Sequence, residues 1–235
     1  DTLNQAGYES YLVGGCVRDL LLSSTPKDFD IATAAEPEAV RTLFRNSRLI
    51  GRRFRLIHVR FNREIVEVAT FRASHSAEDG DGEVNVSGRI VRDNVYGTLE
   101  DDAWRRDFSV NSLYYSARDN TVVDYVGGME DIELRRLRLL GCPSTRYRED
   151  PVRILRAMRF AAKLDFEIEQ ASEEPIQELS PLLGEVPAAR LFDECLKLFL
   201  GGSAERSFEM LQRHDIFQEL FPETARYLEL PKAER

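Results

Sequence analysis

Cysteine, lysine, histidine and tryptophan are all scarce in this 235-residue chain, and the scarcity of cysteine removes whole classes of protein. The three cysteines, Cys16, Cys142 and Cys195, are odd in number and far apart. They supply neither a disulfide framework nor the close spacing of a zinc site, and they read as small thiols of a reducing cytoplasm. His58, His75 and His214 are equally scattered and read as core or surface residues. No apolar run approaches the ~18 residues of a membrane span, and no signal-peptide pattern opens the chain, so no membrane partner is expected. The first residue is Asp1 and not Met, which fits a processed or trimmed piece. Only four of the 32 basic residues are lysine (Lys27, Lys163, Lys197 and Lys232), leaving 28 arginines. Arginine forks grip phosphates and base edges, but the codon bias of a GC-rich genome gives the same composition, so placement matters more than number. The net charge of −9 argues against a surface that coats nucleic acid non-specifically. What is present, 43% hydrophobic and 31% charged residues, is ordinary for one large or two modest globular domains.

The first half reads as α/β and the second as helical. Tyr11-Leu12-Val13 predicts a strand that stops at Gly14-Gly15, followed by a short helix over 17–22. A strand over 29–32 and an amphipathic helix over 38–44 opened by Pro37 come next. Strands over 54–61 and 64–71 are separated by Asn62-Arg63, a hairpin spacing without the glycine that tight turns favour. Residues 74–88 read as a surface loop. A helix is predicted over 102–115, strands over 122–126 and 137–140, and a break at Gly127-Gly128. Helices over 151–163, 174–183, 188–200 and 204–214 complete the pattern. The boundary falls near 141–149, dividing the chain into domains 1–142 and 143–235.

Several acids carry the chemistry. In Asp28-Phe29-Asp30 the two carboxylates reach one face of an extended strand while Phe29 turns into the core, and such a pair suits magnesium, a hard ion that prefers oxygen. Gly14-Gly15 lets backbone approach a ligand closely, and Arg18 adds a positive charge for phosphate; a plain strand–turn–helix with an Arg18–Asp19 surface pair explains the same residues. Glu67 sits in the apolar strand Ile65-Val66-Glu67-Val68-Ala69, where it faces either solvent or a cation. Asp107, followed at helical spacing by Asn111, joins the acids or forms an Asp–Arg pair. Asp150 before Pro151 is a helix-capping pair. Arg153, Arg156 and Arg159 then step round one side of the helix as a stripe for phosphates or base edges.

Together, Leu12-Val13-Gly14-Gly15-Cys16-Val17-Arg18-Asp19, Lys27-Asp28-Phe29-Asp30, Glu67-Val68-Ala69-Thr70-Phe71-Arg72, Arg105-Arg106-Asp107-Phe108-Ser109-Val110-Asn111, Asp124-Tyr125-Val126-Gly127-Gly128 and Glu149-Asp150-Pro151-Val152-Arg153 resemble the bacterial poly(A) polymerase and CCA-adding enzymes, the class II branch of the nucleotidyltransferases. The run Leu49-Ile50-Gly51-Arg52-Arg53-Phe54-Arg55-Leu56 is similar to the poly(A) polymerase version. Cys16 departs from the family's usual Gly or Ala, and the helical body and basic tail of the longer members are absent.

The resemblance implies an α+β fold: a nucleotidyltransferase head with a small mixed β-sheet, then an all-helical neck, with the site in the cleft between them and the 74–88 loop above it. It implies template-independent addition of AMP from ATP to RNA 3′ ends, by a cytoplasmic monomer. One rival is a CCA-adding enzyme that uses CTP and ATP on tRNA. Another is an RNA- or nucleotide-binding module without catalysis, which the retention of Asp28, Asp30 and Glu67 disfavours. By resemblance, Asp28 and Asp30 hold Mg2+, Glu67 is a third carboxylate near the primer end, and Asp107 counts as catalytic. Gly14, Gly15 and Arg18 touch triphosphate and ribose, and Arg106, Asp107 and Asn111 surround sugar and phosphates. Asp150, Arg153, Arg156 and Arg159 read base and phosphate.

Overall fold

Alternating apolar residues and two glycine turns shape the amino-terminal part of the chain. The computed structural model describes residues 1–51, 55–73 and 95–229, which fall into two compact units, Asp1–Glu133 and Leu134–Arg235. The arginine run at 52–54, the loop over 74–88 and His75 lie outside the described residues.

The first unit runs α1 (Thr2–Gln5), β1 (Ser10–Val13), α2 (Gly15–Leu21), β2 (Asp30–Thr33), α3 (Pro37–Leu43), β3 (Ser47–Ile50), β4 (Leu56–Phe61), β5 (Glu64–Thr70), α4 (Leu99–Arg105), a 3-10 turn (Ser109–Asn111), β6 (Leu113–Ser116), β7 (Thr121–Asp124) and α5 (Gly128–Glu133). The strands form a seven-stranded sheet in the order β3-β4-β5-β2-β1-β6-β7. It is mixed: β2 and β5 run parallel and the other neighbours antiparallel. On one face Ile57, Val59 and Val68 are buried with Leu3, Ala35 and Val40, and Ile31, Leu49 and Val66 pack on them. Because side chains alternate along a strand, Arg48, His58, Glu67 and Asp30 fall on the opposite face. Their registers coincide, Arg48 beside His58, His58 beside Glu67 and Glu67 beside Asp30, so the four make one row across β3, β4, β5 and β2.

The β4–β5 hairpin closes as the spacing predicts, and Asn62, at φ 55°, takes the left-handed conformation that glycine usually fills. Strand β3 has no clear signal of its own; pairing with β4 draws it out. The sequence pattern predicts one helix over 102–115, and the structure corrects this. Helix α4 starts earlier, at a capping box made by Thr98 and Asp101, and ends at Arg105. Leu113 to Ser116 are strand because Tyr114 and Tyr115 pair with Val13 and Leu12. A second correction concerns Phe29. The strand opens only at Asp30, and Phe29 is 42% exposed, outside the core.

The Gly127-Gly128 break proves to be a helix start. The Asp124 carboxylate accepts hydrogen bonds from the amides of Val126 (3.0 Å), Gly127 (2.9 Å), Gly128 (3.0 Å) and Met129 (2.9 Å). Gly127 turns at φ 79°. Helix α5 then seats on the 3-10 turn, where the buried Ser109 hydroxyl donates to the buried Asp131 carboxylate at 2.5 Å.

The second unit contains β8 (Arg136–Leu137), α6 (Pro143–Glu149), α7 (Val152–Leu164), β9 (Glu167–Ile168), α8 (Gln170–Glu173), α9 (Ile176–Leu179), α10 (Ala188–Leu200), α11 (Ala204–Arg213), α12 (Ile216–Leu220) and α13 (Pro222–Glu229). The predicted 137–140 strand shrinks to the two residues of β8, paired in parallel with β9. The predicted 174–183 helix breaks into α9 and a 3-10 turn, Ser180–Glu185, because Pro175 and Pro181 each lack an amide donor. Helix α7 is the core of this unit. It buries Val152, Ile154, Leu155, Ala157, Met158, Phe160, Ala161 and Ala162 and stops at Asp165, in the left-handed conformation at φ 59°.

A side chain at residue 128 has nowhere to go. A Cβ there runs into the Ser109 carbonyl oxygen and lies 3.1 Å from Leu113. We expect Gly128→Ala to lower the unfolding free energy by about 2 kcal/mol, read from the urea midpoint; an unchanged midpoint contradicts the tight seating of α5.

Candidate active site

Three short connections bring the predicted head residues together. The turn after β1 places Gly14 at φ 79°, with its amide donating to the Leu113 carbonyl at 3.3 Å. Two guanidinium groups stand against this turn. Arg106 Nη1 is 3.5 Å from where a Gly14 Cβ would lie, and Arg18 Nη2 is 3.6 Å from that of Gly15. A Cβ at either position would make ordinary contact with these cations, and it is the positive φ of Gly14 that favours glycine there.

Arg18 is only 2% exposed. Its Nη1 donates to the Asn111 Oδ1, and its Nε donates to Asp19 at 2.8 Å. The Arg18–Asp19 pair exists, but it is buried and not a surface feature. Asn111 ends the 3-10 turn that α5 supports, so the Asp124 turn holds Asn111, and through it Arg18, in place.

Arg106 is fixed by residues without an obvious signal in the sequence. Its Nε donates to the Tyr114 hydroxyl at 2.9 Å, and its Nη2 donates to Asp102 at 2.9 Å. The Tyr114 hydroxyl donates to the same carboxylate at 2.7 Å, and the Arg72 amide donates to Asp102 at 3.1 Å. Burial acts to raise the Asp102 carboxyl, but Arg106, Tyr114 and the Arg72 amide together hold it below the usual carboxylate range. Burial drives the Tyr114 hydroxyl well up, so it stays a neutral donor. Asp107 follows Arg106, half-buried, in the extended link to the 3-10 turn.

The acids meet at the edge of β2. Asp28 precedes the strand and is exposed; Asp30 opens it, in register with Glu67 of β5. Burial first, then the charges of Glu67 and Asp28, push Asp30 up to about 6, and Arg106 opposes the rise. The Asp30 carboxylate therefore senses both Glu67 and Asp28. The three acids do not close on a single point: among the described residues no three acidic, histidine or cysteine side chains are poised to hold a metal ion. Glu67 instead faces His58, whose Nε2 lies 3.0 Å from its Oε1. His58 escapes a reading of composition, yet the hairpin spacing locates it. Counting back four residues on each side of the two-residue turn brings 58 opposite 67.

The remaining predicted residues belong to the second unit. The Asp150 carboxylate accepts from the Val152 amide at 3.3 Å, at the start of α7, and pairs with Arg190 of α10 at 2.6 Å. Arg153 donates to the Arg146 carbonyl at 2.6 Å and to Glu149 at 2.9 Å. Arg159 lies 3.4 Å from the buried Glu194 of α10, and its guanidinium stacks 4.2 Å over the Phe160 ring, with Arg156 at 5.8 Å from the same ring. The stripe is therefore set into the packed surface of α7, with acidic partners supplied by α6 and α10.

The raised Asp30 has a consequence for stability. Between the ordinary aspartate pKa and about 6, the folded chain holds a proton that the unfolded chain has released, so this contribution is present at low pH and lost as pH rises through about 6. In buffer without divalent cations, Asp30→Asn should stabilise the protein at pH 7.5 by on the order of 1 kcal/mol, discounted for partial exposure, and the gain should vanish near pH 4. Urea midpoints at both pH values check this, and equal midpoints at pH 7.5 contradict it.

Comparison with known proteins bears on this geometry. Residues 10–138 match the family model described as Poly A polymerase head domain. Residues 165–228 match one described as Probable RNA and SrmB- binding site of polymerase A. The chain is 56% identical over 228 residues to Poly(A) polymerase I of Salmonella typhimurium, covering 96% of this chain and 49% of that protein. It is 53% identical over 230 residues to Poly(A) polymerase I of Haemophilus influenzae, covering 97% and 51%. The CCA-adding enzyme of Lactobacillus helveticus is more distant, 34% identical over 209 residues, covering 89% and 50%. Among solved structures, the Bacillus stearothermophilus CCA-adding enzyme in complex with CTP superposes with a TM-score of 0.78 at 34% identity, covering 92% of this chain and 50% of that one. The chain spans about half the length of the curated relatives it matches.

Proposed function

The chain belongs to the poly A polymerase head-domain family, and from that premise we propose that it is the catalytic part of a template-independent polynucleotide adenylyltransferase, which adds AMP from ATP to RNA 3′ ends. The observation that carries the reading is the register of Asp30 with Glu67 beside Asp28, on a sheet whose neighbouring glycine turn is faced by Arg106 and Arg18. Acids beside fixed cations suit nucleotidyl transfer, in which a hydroxyl is activated and a triphosphate is held. The greater identity to proteins named Poly(A) polymerase I favours this over CCA addition. A binding module without catalysis is disfavoured by the presence of all three acids.

The donor set fits magnesium. Asp28, Asp30 and Glu67 offer only oxygen, and Asp30 is raised first by burial and then by its two acidic neighbours, against the opposing charge of Arg106. Asp28 and Asp30 would hold the ion; when bound, it would supply positive charge to the primer hydroxyl and the triphosphate. Glu67 would lie near the primer end and Asp107 beside the reacting groups. Gly14 and Gly15 would let the triphosphate approach the backbone, with Arg18, Arg106 and Asn111 orienting phosphates and ribose. Asp150, Arg153, Arg156 and Arg159 would read base and phosphate, rejecting the wrong base by leaving buried polar groups unpaired. The substrates would be ATP and an RNA 3′ end. No helix among the described residues is long and apolar enough to cross a membrane; with its thiols free, we place the protein in the cytoplasm, as a monomer.

The test offers labelled ATP or CTP, with magnesium, to a short RNA primer and to tRNA lacking its CCA end. We expect a ladder of A additions on the primer and little use of CTP. Two C additions and one A, confined to tRNA, would make this a CCA-adding enzyme. Asp28→Ala and Asp30→Ala should each lower the rate at least about a hundredfold.

A further inference from the structure

His58 is the histidine whose neighbours give it a part in the chemistry. It lies directly across the β4–β5 pair from Glu67, and its Nε2 is 3.0 Å from the Glu67 Oε1. Glu67 is in turn in register with Asp30 on the other side. Glu67 therefore stands between a hydrogen-bond donor on β4 and a repelling carboxylate on β2. Its side chain is 51% exposed, so solvent alone would leave its rotamer free.

We propose that His58 is a positioning residue for the adenylation reaction, holding the Glu67 carboxylate on the β4 side of the sheet, apart from Asp28 and Asp30. The inference rests on the reading of the chain as an adenylyltransferase. It divides the acids by task. Asp28 and Asp30 remain the pair for the cation, and Glu67 is kept as a separate acceptor for the 3′-hydroxyl of the RNA primer. Toward an ionised carboxylate the imidazole acts as donor through Nε2–H. The hydrogen bond fixes one oxygen of Glu67 and leaves the other for the substrate hydroxyl. Without it, Glu67 can swing into the Asp28–Asp30 site or out into solvent, and the attacking hydroxyl loses its oriented partner. The chain provides for this pairing in two ways: a two-residue turn fixes the hairpin register, and the alternation that buries Ile57 and Val68 sends His58 and Glu67 to the other face.

The test compares the full-length protein with its His58→Ala, His58→Gln, Glu67→Gln and His58→Ala/Glu67→Gln variants on a short RNA primer. His58→Ala should lower kcat roughly tenfold and leave the KM for ATP within about twofold. The glutamine amide can still donate to Glu67, so His58→Gln should recover most of the rate. With Glu67→Gln already present, His58→Ala should cost little more. A rate for His58→Ala within about twofold of wild type overturns the proposal, as does a loss that adds in full to that of Glu67→Gln. Crystal structures give a reading independent of activity: the Glu67 carboxylate should contact residue 58 in the wild type and change rotamer in His58→Ala, and an unmoved carboxylate also overturns the proposal. A wild type that adenylates nothing sinks the adenylation reading, while the rotamer comparison still decides the role of His58.

Discussion

The parallel pairing of β2 with β5 sets Asp30 beside Glu67, two carboxylates in register on one sheet face with Asp28 close by. Nothing in folding favours that juxtaposition; like charges side by side repel, and burial of Asp30 adds to the cost. The surrounding structure limits the cost without removing it. Arg106 draws the Asp30 pKa down, and His58 gives Glu67 a partner on its far side. What is left shows in an aspartate raised to about 6. A buried aspartate with two acidic neighbours is the kind of perturbed group that marks a candidate functional site.

Holding Arg106 takes more structure than holding the acids. Asp102 from α4, Tyr114 from β6 and the Arg72 amide after β5 converge on one buried network. Such a network is costly when partly satisfied and rigid when complete. Here it ties three parts of the chain together and leaves Nη1 of Arg106 against the Gly14 turn. Arg18 is held separately, through Asn111 and Asp19, on the 3-10 turn that α5 clamps by way of Asp131. The segment Asp124 to Gly128 therefore acts at a distance. Its carboxylate caps α5, α5 fixes Asn111, and Asn111 fixes Arg18.

Features carried by local rules could be read from the sequence. The hairpin between β4 and β5, the glycine turn after β1, the proline-opened α3 and the span of α10 follow from spacing and from turn and cap chemistry. Features decided by distant partners could not. Residues 113–116 carry a helical pattern up to the point where β1 claims them as a strand. Strand β3 exists because β4 offers it an edge. In the same way, the candidate acids were visible as short motifs, while Asp102, Tyr114 and His58, which hydrogen-bond candidate site residues, sit in no motif. Of these, His58 alone had a usable signal, the hairpin register. Glu194 was hidden for a related reason: α7 shows no alternation of charge because the acid facing Arg159 comes from α10.

That observation explains the composition. A chain with net charge −9 and 28 arginines among 32 basic residues is a poor candidate for a positive coat. Its guanidinium groups are placed instead. Arg18 faces Asp19, Arg106 faces Asp102, Arg153 faces Glu149, Arg159 faces Glu194 and Arg190 faces Asp150. Each carboxylate fixes the orientation of a planar fork, which a lysine with a single flexible ammonium would not present in the same way. The excess of acid then follows from the same need: cations meant to act in fixed orientation require anions to orient them. Cations held in this way act through fixed geometry more than through long-range attraction.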